Sequence, residues 1–384
     1  MRSRPFMRGN SRRAESRLGA AWVITSRQRG RQSLSEETHF LTNLWYMAGL
    51  SASLKAGAMR REMLCGEPVL LGRGADGQIF ALRDICPHRA APLSAGRIRE
   101  GVVECPYHGW RFKPDGQCAH IPSVLQEGDI DVSRIKVRSY PVKEQDGLIW
   151  VYFAHDAKGD APPLLDPPRI PIGTADGAAI PRFVESQIFP CEVDHAVVGL
   201  MDPAHGPFVH NAWWWRREAS IHAKEKHHAP SLRGFTMVGH KPSSNSFAYK
   251  ILGGDLITEI RFELPSLRFE HIRAGKREVL GFTAVTPQDE NRTLVTQVFY
   301  WTMPWLVLVK PFFRPFARAF LGQDRRIVEL QNEGLKFSPP QMLIQDADVP
   351  AIWYHRLKKA WAESVETGVP FINPVQERTL RWRS

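Results

Sequence analysis

The sequence predicts an α+β protein in which an all-β domain precedes a larger domain that combines an antiparallel sheet with helices. Three observations predict this class. The chain has 384 residues, which is more than one domain usually contains. Residues 60–155 read as short strands between turn signals, and the proline-rich segment 160–171 then interrupts regular structure. Beyond residue 171, strand-like and helix-like patterns are mixed.

The composition is that of a globular protein, with 43% hydrophobic and 24% charged residues. No uncharged apolar run reaches the roughly 18–20 residues that span a bilayer, so we expect a soluble, or at most surface-bound, cytoplasmic protein. Residues 1–32 contribute most of the net charge of +11, because this segment contains nine arginines and only one acidic residue, Glu15. The remainder is close to neutral and has no basic stripe with interleaved aromatics, which argues against nucleic acid as a partner.

The first 38 residues are expected to form a basic, disordered extension. A transit peptide would also be rich in arginine and serine and poor in acids, and a start codon assigned too early would leave the same kind of segment. The pair Arg12-Arg13 resembles a twin-arginine signal, although the apolar stretch 18–24 that follows is short and runs into Arg27. These alternatives stay open.

Residues 39–156 are taken as the first domain. The segment 39–50 has the aromatic and apolar character of a buried strand or short helix, residues 67–84 read as a hairpin, and residues 147–153 read as a further strand. The glycines of GRGADG (72–77) match a dinucleotide-binding fingerprint by letter, but a strand-like run follows them instead of a helix. They are therefore expected to turn the hairpin.

Residues 157–384 are taken as the second domain. Its expected strands and helices follow from alternating and 3.6-residue periodicity respectively. The strands are expected at 246–253, 256–263, 278–285 and 293–301, and the helices near 192–205, 317–334 and 349–366.

Two short segments of the first domain each supply one thiol and one imidazole. Cys86 and His88 lie two apart, and Cys105 and His108 lie three apart. A Rieske [2Fe–2S] centre needs this set, with two cysteines on one iron and two histidines on the other. A zinc site is the alternative, although its usual spacings are C-x₂₋₄-C and H-x₃₋₅-H. A zinc protein would be colourless, whereas a Rieske protein is red-brown.

The other three cysteines are expected to be structural. The total of five is odd and the spacing is not that of a disulfide scaffold, which indicates a reducing compartment or metal binding. These three residues are Cys65, Cys118 and Cys191.

The motifs C-P-H-R (86–89) and C-P-Y-H-G-W (105–110) resemble those of the Rieske domain of ring-hydroxylating and demethylating oxygenases, over about residues 45–155. Respiratory Rieske proteins carry an additional cysteine in each loop, where this chain has residues such as Ala91 and Tyr107. The resemblance implies a low-potential cluster of the oxygenase type.

A second constellation follows in the second domain, where Asp202, His205 and His210 lie close together in the sequence. Asp202 and His205 would share one face of a helix. His205 and His210 lie about 140° apart on an ideal helix, so a break at Gly206-Pro207 would be needed to bring both imidazoles to one ion. Two histidines and one carboxylate are the usual ligands of an O₂-activating non-haem Fe(II).

The third iron ligand is expected from a distant part of the chain. Asp324, on the predicted helix 317–334, resembles the late acidic residue of the same oxygenases, in which apolar residues and a glutamate follow the aspartate. Glu329 and Asp346 remain the alternatives.

With these residues the resemblance extends from about residue 40 to 366, to the catalytic α subunit of Rieske non-haem iron oxygenases. Within that family the chain looks most similar to the demethylase and monooxygenase branch, such as vanillate and dicamba demethylases and pheophorbide oxygenase. The resemblance implies a helix-grip-like second domain and a homotrimer in which Asp202 bridges His108 of the partner subunit to His205. Many members carry asparagine four residues before this aspartate, where this chain has Val198.

The expected function is hydroxylation or oxidative demethylation of a hydrophobic aromatic or polycyclic substrate with O₂. A separate NAD(P)H-dependent reductase or ferredoxin would supply electrons, because the chain has no flavin motif and no second iron–sulfur motif. Ring cis-dihydroxylation is one alternative, and an electron carrier with a vestigial iron site is another. Trp213-Trp214-Trp215 could wall the substrate pocket or be core residues, and residues 303–322 could contact a membrane or form a hydrophobic wall.

Overall fold

The fold is described from a computed structural model of the chain. The structure describes residues 22–24, 40–125, 131–156, 162–172, 179–210, 221–242, 253, 255–344 and 346–384. Trp213-Trp214-Trp215 and almost all of the expected strand 246–253 lie outside these ranges.

The first domain is built from strands only, apart from single 3₁₀ turns, as predicted. It contains three antiparallel sheets, of orders β10-β5-β4-β3, β11-β12-β2 and β6-β7-β8-β9. The strands are β2 (Leu44–Leu50), β3 (Met59–Leu64), β4 (Glu67–Arg73), β5 (Ile79–Arg83), β6 (Arg97–Arg99), β7 (Val102–Glu104), β8 (Arg111–Phe112), β9 (Cys118–His120), β10 (Ser139–Tyr140), β11 (Val142–Gln145) and β12 (Leu148–Phe153).

The second domain is organised around one eight-stranded antiparallel sheet of order β13-β19-β18-β17-β16-β15-β14-β21. Its strands are β13 (Phe183–Phe189), β14 (Ala223–Ser231), β15 (Gly234–His240), β16 (Ile257–Glu263), β17 (Leu267–Ala274), β18 (Arg277–Asp289), β19 (Arg292–Trp301) and β21 (Arg378–Arg383). Four helices accompany it in the described ranges: α1 (Val193–Met201), α2 (Gly206–Val209), α3 (Leu306–Leu335) and α4 (Val349–Thr367). A separate ribbon pairs β1 (Trp22–Ile24), within the expected extension, with β20 (Gln341–Leu343).

The two faces of the large sheet are buried against different partners. On one face Phe282 and its neighbours pack against Trp150 of the first domain, with the two ring centroids 5.9 Å apart. On the opposite face Phe235 packs against Trp353 of α4, with centroids 5.1 Å apart. Alternation of side chains along each strand produces these two apolar faces. The sheet therefore joins the domains on one side and supports the helices on the other.

The expected fold class is confirmed, and most expected elements are present. The hairpin at 67–84 is β4 and β5, with Gly74 and Gly77 at its turn and Gly72 inside β4. The segments 39–50 and 147–153 contain β2 and β12. Strands expected at 256–263, 278–285 and 293–301 are β16, β18 and β19. The expected domain bounds at residues 39 and 157 stay a prediction.

The helix expected near 192–205 is shorter than predicted. It ends at Met201, and Asp202 adopts an extended backbone with φ of −64° and ψ of 116°. Asp202 precedes Pro203, and a residue before proline is disfavoured in helical conformation. Gly206-Pro207 begins α2 instead of breaking a helix, which is a favoured place for proline. Asp202 and His205 therefore do not share one helical face.

The helix expected at 317–334 is longer than predicted and begins at Leu306. Pro311 and Pro315 lie inside α3, where each removes one backbone hydrogen bond. Both residues are exposed, so water can satisfy the carbonyl groups that lose a partner. No helix of the described ranges is both long enough and apolar enough to cross a membrane.

Candidate metal centres and the adjoining cavity

The two Cys/His loops repeat the same backbone arrangement. The first loop lies between β5 and β6 and the second between β7 and β8. The N–H of Cys86 donates to the carbonyl of Ala91 at 2.9 Å, and the N–H of Cys105 donates to that of Trp110 at 2.8 Å. In each loop, the N–H four residues after the cysteine donates back to the cysteine carbonyl, and that fourth residue, Ala90 or Gly109, has a positive φ. The loops form a matched pair of turns.

In these loops the two cysteines lie together in the interior, and the two histidines lie together nearer the surface. Cys86 and Cys105 are 2% and 3% exposed and interact with each other, and the rings of His88 and His108 lie 4.5 Å apart nearer the surface. Trp110 stacks on His88 at 4.8 Å. Two neighbouring thiols and two neighbouring imidazoles fit a cluster with cysteines on one iron and histidines on the other.

The electrostatics of these loops fit a metal-bound state. Burial raises the pKa of Cys86 to about 11, so that the free thiol would be protonated at neutral pH, and a bound cation would be needed to hold the thiolate. Desolvation lowers the pKa of His108, which favours the neutral imidazole that binds iron. A tetrahedral zinc ion would need the ligand atoms of Cys86, His88, Cys105 and His108 close together around one point. In the described ranges, the one group of three or more such ligand atoms that lie this close together is in the second domain and does not include these residues.

That set is His205, His210 and Asp324, whose ligand atoms lie within 4.8 Å of one another. His205 precedes the four-residue helix α2 and His210 follows it, so that the two Nε2 atoms face each other at 3.2 Å. Asp324 on α3 places Oδ1 at 3.1 Å from Nε2 of His210 and at 3.8 Å from Nε2 of His205. The arrangement presents two imidazole nitrogens and one carboxylate to a common point.

Each histidine is oriented through its other ring nitrogen. Nδ1 of His205 lies 2.6 Å from the main-chain oxygen of Asp202, and Nδ1 of His210 lies 3.0 Å from Oε1 of Gln323. Both oxygens can only accept, so both Nδ1 atoms carry the proton and both Nε2 atoms keep a lone pair for a metal. Phe320 stacks on His210 at 3.7 Å and fixes the plane of its ring. Desolvation lowers the pKa of His205, which keeps it neutral.

The carboxylate of Asp202 lies beside this centre. One oxygen accepts the N–H of Ala204 at 2.7 Å, and the other lies 3.7 Å from Nδ1 of His205. Burial raises the pKa of Asp202, while its side chain remains 31% exposed. Val198, at the place of the family's asparagine, lies on α1 and packs among apolar residues.

The two alternative carboxylates lie in ion pairs away from the centre. Glu329 accepts from Arg325 at 2.8 Å, and Asp346 accepts from Arg378 at 2.7 Å. Gln323 is a site residue that the sequence reasoning missed. Its only signal is its position directly before Asp324, and nothing in the sequence shows which way an amide on a helix points.

A cavity of about 720 Å³ extends from His205, His210 and Asp324 between the large sheet and α3. Its wall is mostly apolar, which suits a hydrophobic ligand. From the sheet, Ile260, Phe262, Ile272, Val279, Phe299 and Trp301 contribute to it, and from α3, Leu306, Phe313, Phe316, Ala317 and Phe320. Polar groups at the wall include Thr283, Gln297 and the ion pair of Arg268 with Glu270 at 2.9 Å.

Both domains match known families. The Rieske [2Fe-2S] domain matches residues 44–141, and the vanillate O-demethylase oxygenase C-terminal domain matches residues 199–364. The 4beta-methylsterol monooxygenase of Methylococcus capsulatus is 27% identical, over 85% of this chain and 91% of the relative. The chloroplastic chlorophyllide a oxygenase of Oryza sativa subsp. japonica is 33% identical over 87% of this chain, which spans only 59% of that relative's length.

A crystal structure of dicamba monooxygenase bound to dicamba matches the fold with a TM-score of 0.67 at 24% identity, over 86% of this chain and 99% of that chain. The two domains together define an oxygenase with an iron–sulfur cluster and a mononuclear iron as cofactors. The chain belongs to the Rieske non-haem iron oxygenases, and its second domain is of the vanillate O-demethylase type.

Proposed function

We propose that this chain uses O₂ and external electrons to hydroxylate or oxidatively demethylate a hydrophobic aromatic or polycyclic molecule. The observation that carries the proposal is the apolar cavity of about 720 Å³, which ends at His205, His210 and Asp324. Its volume lies within the usual range of small-molecule sites. The relatives support the substrate class, because one is described as a methylsterol monooxygenase and another as a dicamba O-demethylase.

In this proposal Cys86, His88, Cys105 and His108 hold the [2Fe–2S] cluster. His205, His210 and Asp324 would hold the mononuclear iron, because two histidines and one carboxylate are the ligand set typical of O₂-activating non-haem iron. When bound there, that iron supplies O₂ activation. The acceptors at the two Nδ1 atoms keep both imidazoles in the tautomer that the metal requires.

The apolar wall of the cavity orients the substrate and excludes water from the reacting carbon. In the overall reaction, one C–H bond, one O₂, two electrons and two protons give one C–OH bond and one water. When the carbon belongs to a methyl ether, the hydroxymethyl ether then breaks to a free hydroxyl group and formaldehyde. Phe299 lines the cavity from β19 and Phe313 lines it from α3, and both aromatic rings are available to contact an apolar substrate.

Electron transfer between subunits would use Asp202. Its carboxylate lies 3.7 Å from Nδ1 of His205 and is partly exposed, so it could accept a hydrogen bond from His108 of the partner subunit in a homotrimer. A separate reductase or ferredoxin supplies the electrons, and a cytoplasmic location would give access to NAD(P)H.

The test uses the purified chain with a surrogate ferredoxin and reductase, ¹⁸O₂, and two probes, dicamba and a 4-methylsterol. We expect O₂ consumption that depends on one of the probes and a product with one ¹⁸O atom, or a demethylated product with formaldehyde. Two ¹⁸O atoms on adjacent carbons would instead establish cis-dihydroxylation. Reduction of the cluster without any probe-dependent O₂ consumption would favour the electron carrier, provided that added Fe(II) does not restore it.

A further inference from the structure

One strand of the large sheet carries an ion pair in the mostly apolar wall of the cavity. Nη1 of Arg268 and Oε2 of Glu270 lie 2.9 Å apart on β17, and both residues line the cavity. Their side chains are only 20% and 24% exposed. Two apolar side chains would fill the same space without the free-energy cost of desolvating two charges, so stability alone does not explain the pair.

The neighbouring strand β18 leaves room for a ligand beside this pair. Gly281 lies directly opposite Glu270, and Thr283 lies directly opposite Arg268. Both residues also line the cavity. Side chains that lie directly opposite each other are the nearest neighbours across two antiparallel strands. Because Gly281 has no side chain, β18 does not cover the carboxylate of Glu270 with one.

The pair presents hydrogen-bond donors next to hydrogen-bond acceptors. A guanidinium group offers only N–H donors, whereas an ionised carboxylate offers only acceptor oxygens. A hydroxyl group matches both at once, because it accepts through its lone pairs and donates through its O–H. A carbonyl group of the ligand would accept from Arg268 alone. A carboxylate of the ligand would be repelled by Glu270, and an ammonium group would be repelled by Arg268.

We infer that Arg268 and Glu270 recognise a hydroxyl group of the substrate, which is therefore an apolar ring compound that carries an alcohol or a phenol. The inference rests on the proposed function, because it takes the cavity as the substrate site. Arg268 donates an N–H to the hydroxyl oxygen, and the hydroxyl donates its O–H to Glu270. Hydrogen bonds to charged groups are stronger than those between neutral groups, so this contact adds affinity and fixes the orientation of the ring system.

The test is equilibrium dialysis of the iron-loaded full chain, without oxygen, against 2-naphthol, naphthalene and 2-naphthoate, which share one ring system. We expect the wild type to bind 2-naphthol about tenfold more tightly than naphthalene, because the hydroxyl group bonds to two charged groups. It should bind 2-naphthoate most weakly, because that carboxylate meets Glu270. The cavity variant Arg268→Met/Glu270→Leu should lose the preference for 2-naphthol. Glu270→Gln should bind 2-naphthoate about tenfold more tightly than the wild type, since the like charge is removed.

Arg273→Met/Glu259→Leu is the matched control, because this ion pair of 3.8 Å joins β17 to β16 on the opposite face of the sheet. An unchanged visible spectrum and iron content will verify the folding of each variant. The inference is overturned if the wild type does not prefer 2-naphthol or binds none of the probes, if the cavity variant keeps the preference, or if the control also loses it. It is likewise overturned if Glu270→Gln does not gain affinity for 2-naphthoate. Without oxygen there is no turnover, so a failure of the proposed oxygenation would leave these affinities unchanged.

Discussion

Nδ1 of His210 lies 3.0 Å from Oε1 of Gln323, the residue that directly precedes Asp324 on α3. Helix α3 therefore provides Asp324, a proposed iron ligand, and also Gln323, the hydrogen-bond acceptor that orients the proposed ligand His210. The geometry of the centre depends on how α3 packs against β13, where Gln187 donates its amide N–H to the carbonyl of Arg318 at 2.8 Å.

Replacing Gln323 by leucine should weaken binding of the mononuclear iron by about 10–100-fold, the usual effect of losing such an acceptor. Without it, Nδ1 of His210 loses the partner that fixes its tautomer and ring orientation. Titration of the apo second site with Fe(II) measures the affinity, and the Rieske spectrum should not change. Gln323→Glu is the matched control, because it keeps an acceptor oxygen at the same place. Equal iron affinity in wild type and Gln323→Leu would contradict the role of Gln323.

Asp202→Asn should lower turnover by about 10–100-fold while both iron sites stay filled. The amide oxygen can still accept a hydrogen bond from the N–H of Ala204, but the amide nitrogen is a donor and cannot accept a hydrogen bond from a histidine of either subunit. The decisive measurement is the rate at which a chemically reduced cluster is oxidised by O₂ and substrate in one turnover. If this rate equals that of the wild type, electrons do not pass through Asp202.

Replacing Gly281 by leucine should weaken the binding of large substrates in the cavity. Gly281 lies on β18 in the cavity wall, and a Cβ there would meet Phe299 at 3.5 Å, which is an ordinary contact. A side chain can therefore extend into the cavity without distorting the strand. We expect KM for a polycyclic substrate to rise at least about tenfold, with iron content unchanged. Gly281→Ala serves as the control, and equal KM values in all three proteins would place the substrate elsewhere.

The stability of the second domain should depend on pH through His228. This residue is 1% exposed, its Nδ1 donates to the carbonyl of Lys226 at 3.1 Å, and burial lowers its pKa to about 4. The unfolded chain binds a proton near pH 6.5 and the folded chain does not, so stability is lost as pH falls from 6.5 towards 4. At pH 5.5 the loss should be on the order of 1 kcal/mol.

His228→Phe removes this titration while keeping an aromatic ring beside Trp353, whose centroid lies 5.7 Å away. Urea unfolding followed by tryptophan fluorescence at pH 7.5 and 5.5 would show a smaller decrease for this variant than for the wild type. The exposed neighbour His227 provides the control variant His227→Phe. An identical decrease in the wild type and His228→Phe would show that His228 is not protonated differently in the two states.

Much of the first domain and of the candidate site could be predicted because residue type carries the chemistry. The positions of Cys86, His88, Cys105 and His108 predict a cluster without knowledge of any contact. Asp324 could be chosen from its resemblance to the late acidic motif of the oxygenases, and the structure places its carboxylate 3.1 Å from His210. Its role as a ligand stays a prediction, as does the bridging role of Asp202.

The helix boundaries could not be predicted as well, because they depend on competition between local signals. Periodicity continues through Asp202, but Pro203 favours an extended backbone at this residue and ends the helix before it. Pro311 and Pro315 predict an interruption, yet α3 continues through both of them, and Arg314 and Arg318 of this part of the helix contact Glu185 and Gln187 of β13. The contact of Gln323 with His210 joins residues 113 apart and depends on tertiary structure alone.

The most direct test of the account is the amount of iron and acid-labile sulfide per chain in anaerobically purified wild type and His205→Ala. We expect about three irons and two sulfides in the wild type. The variant should contain about two irons and an unchanged Rieske spectrum, because His205 is proposed to bind only the mononuclear iron. Two irons in both proteins, even after incubation with Fe(II), would contradict the second iron site and with it the proposed oxygenation.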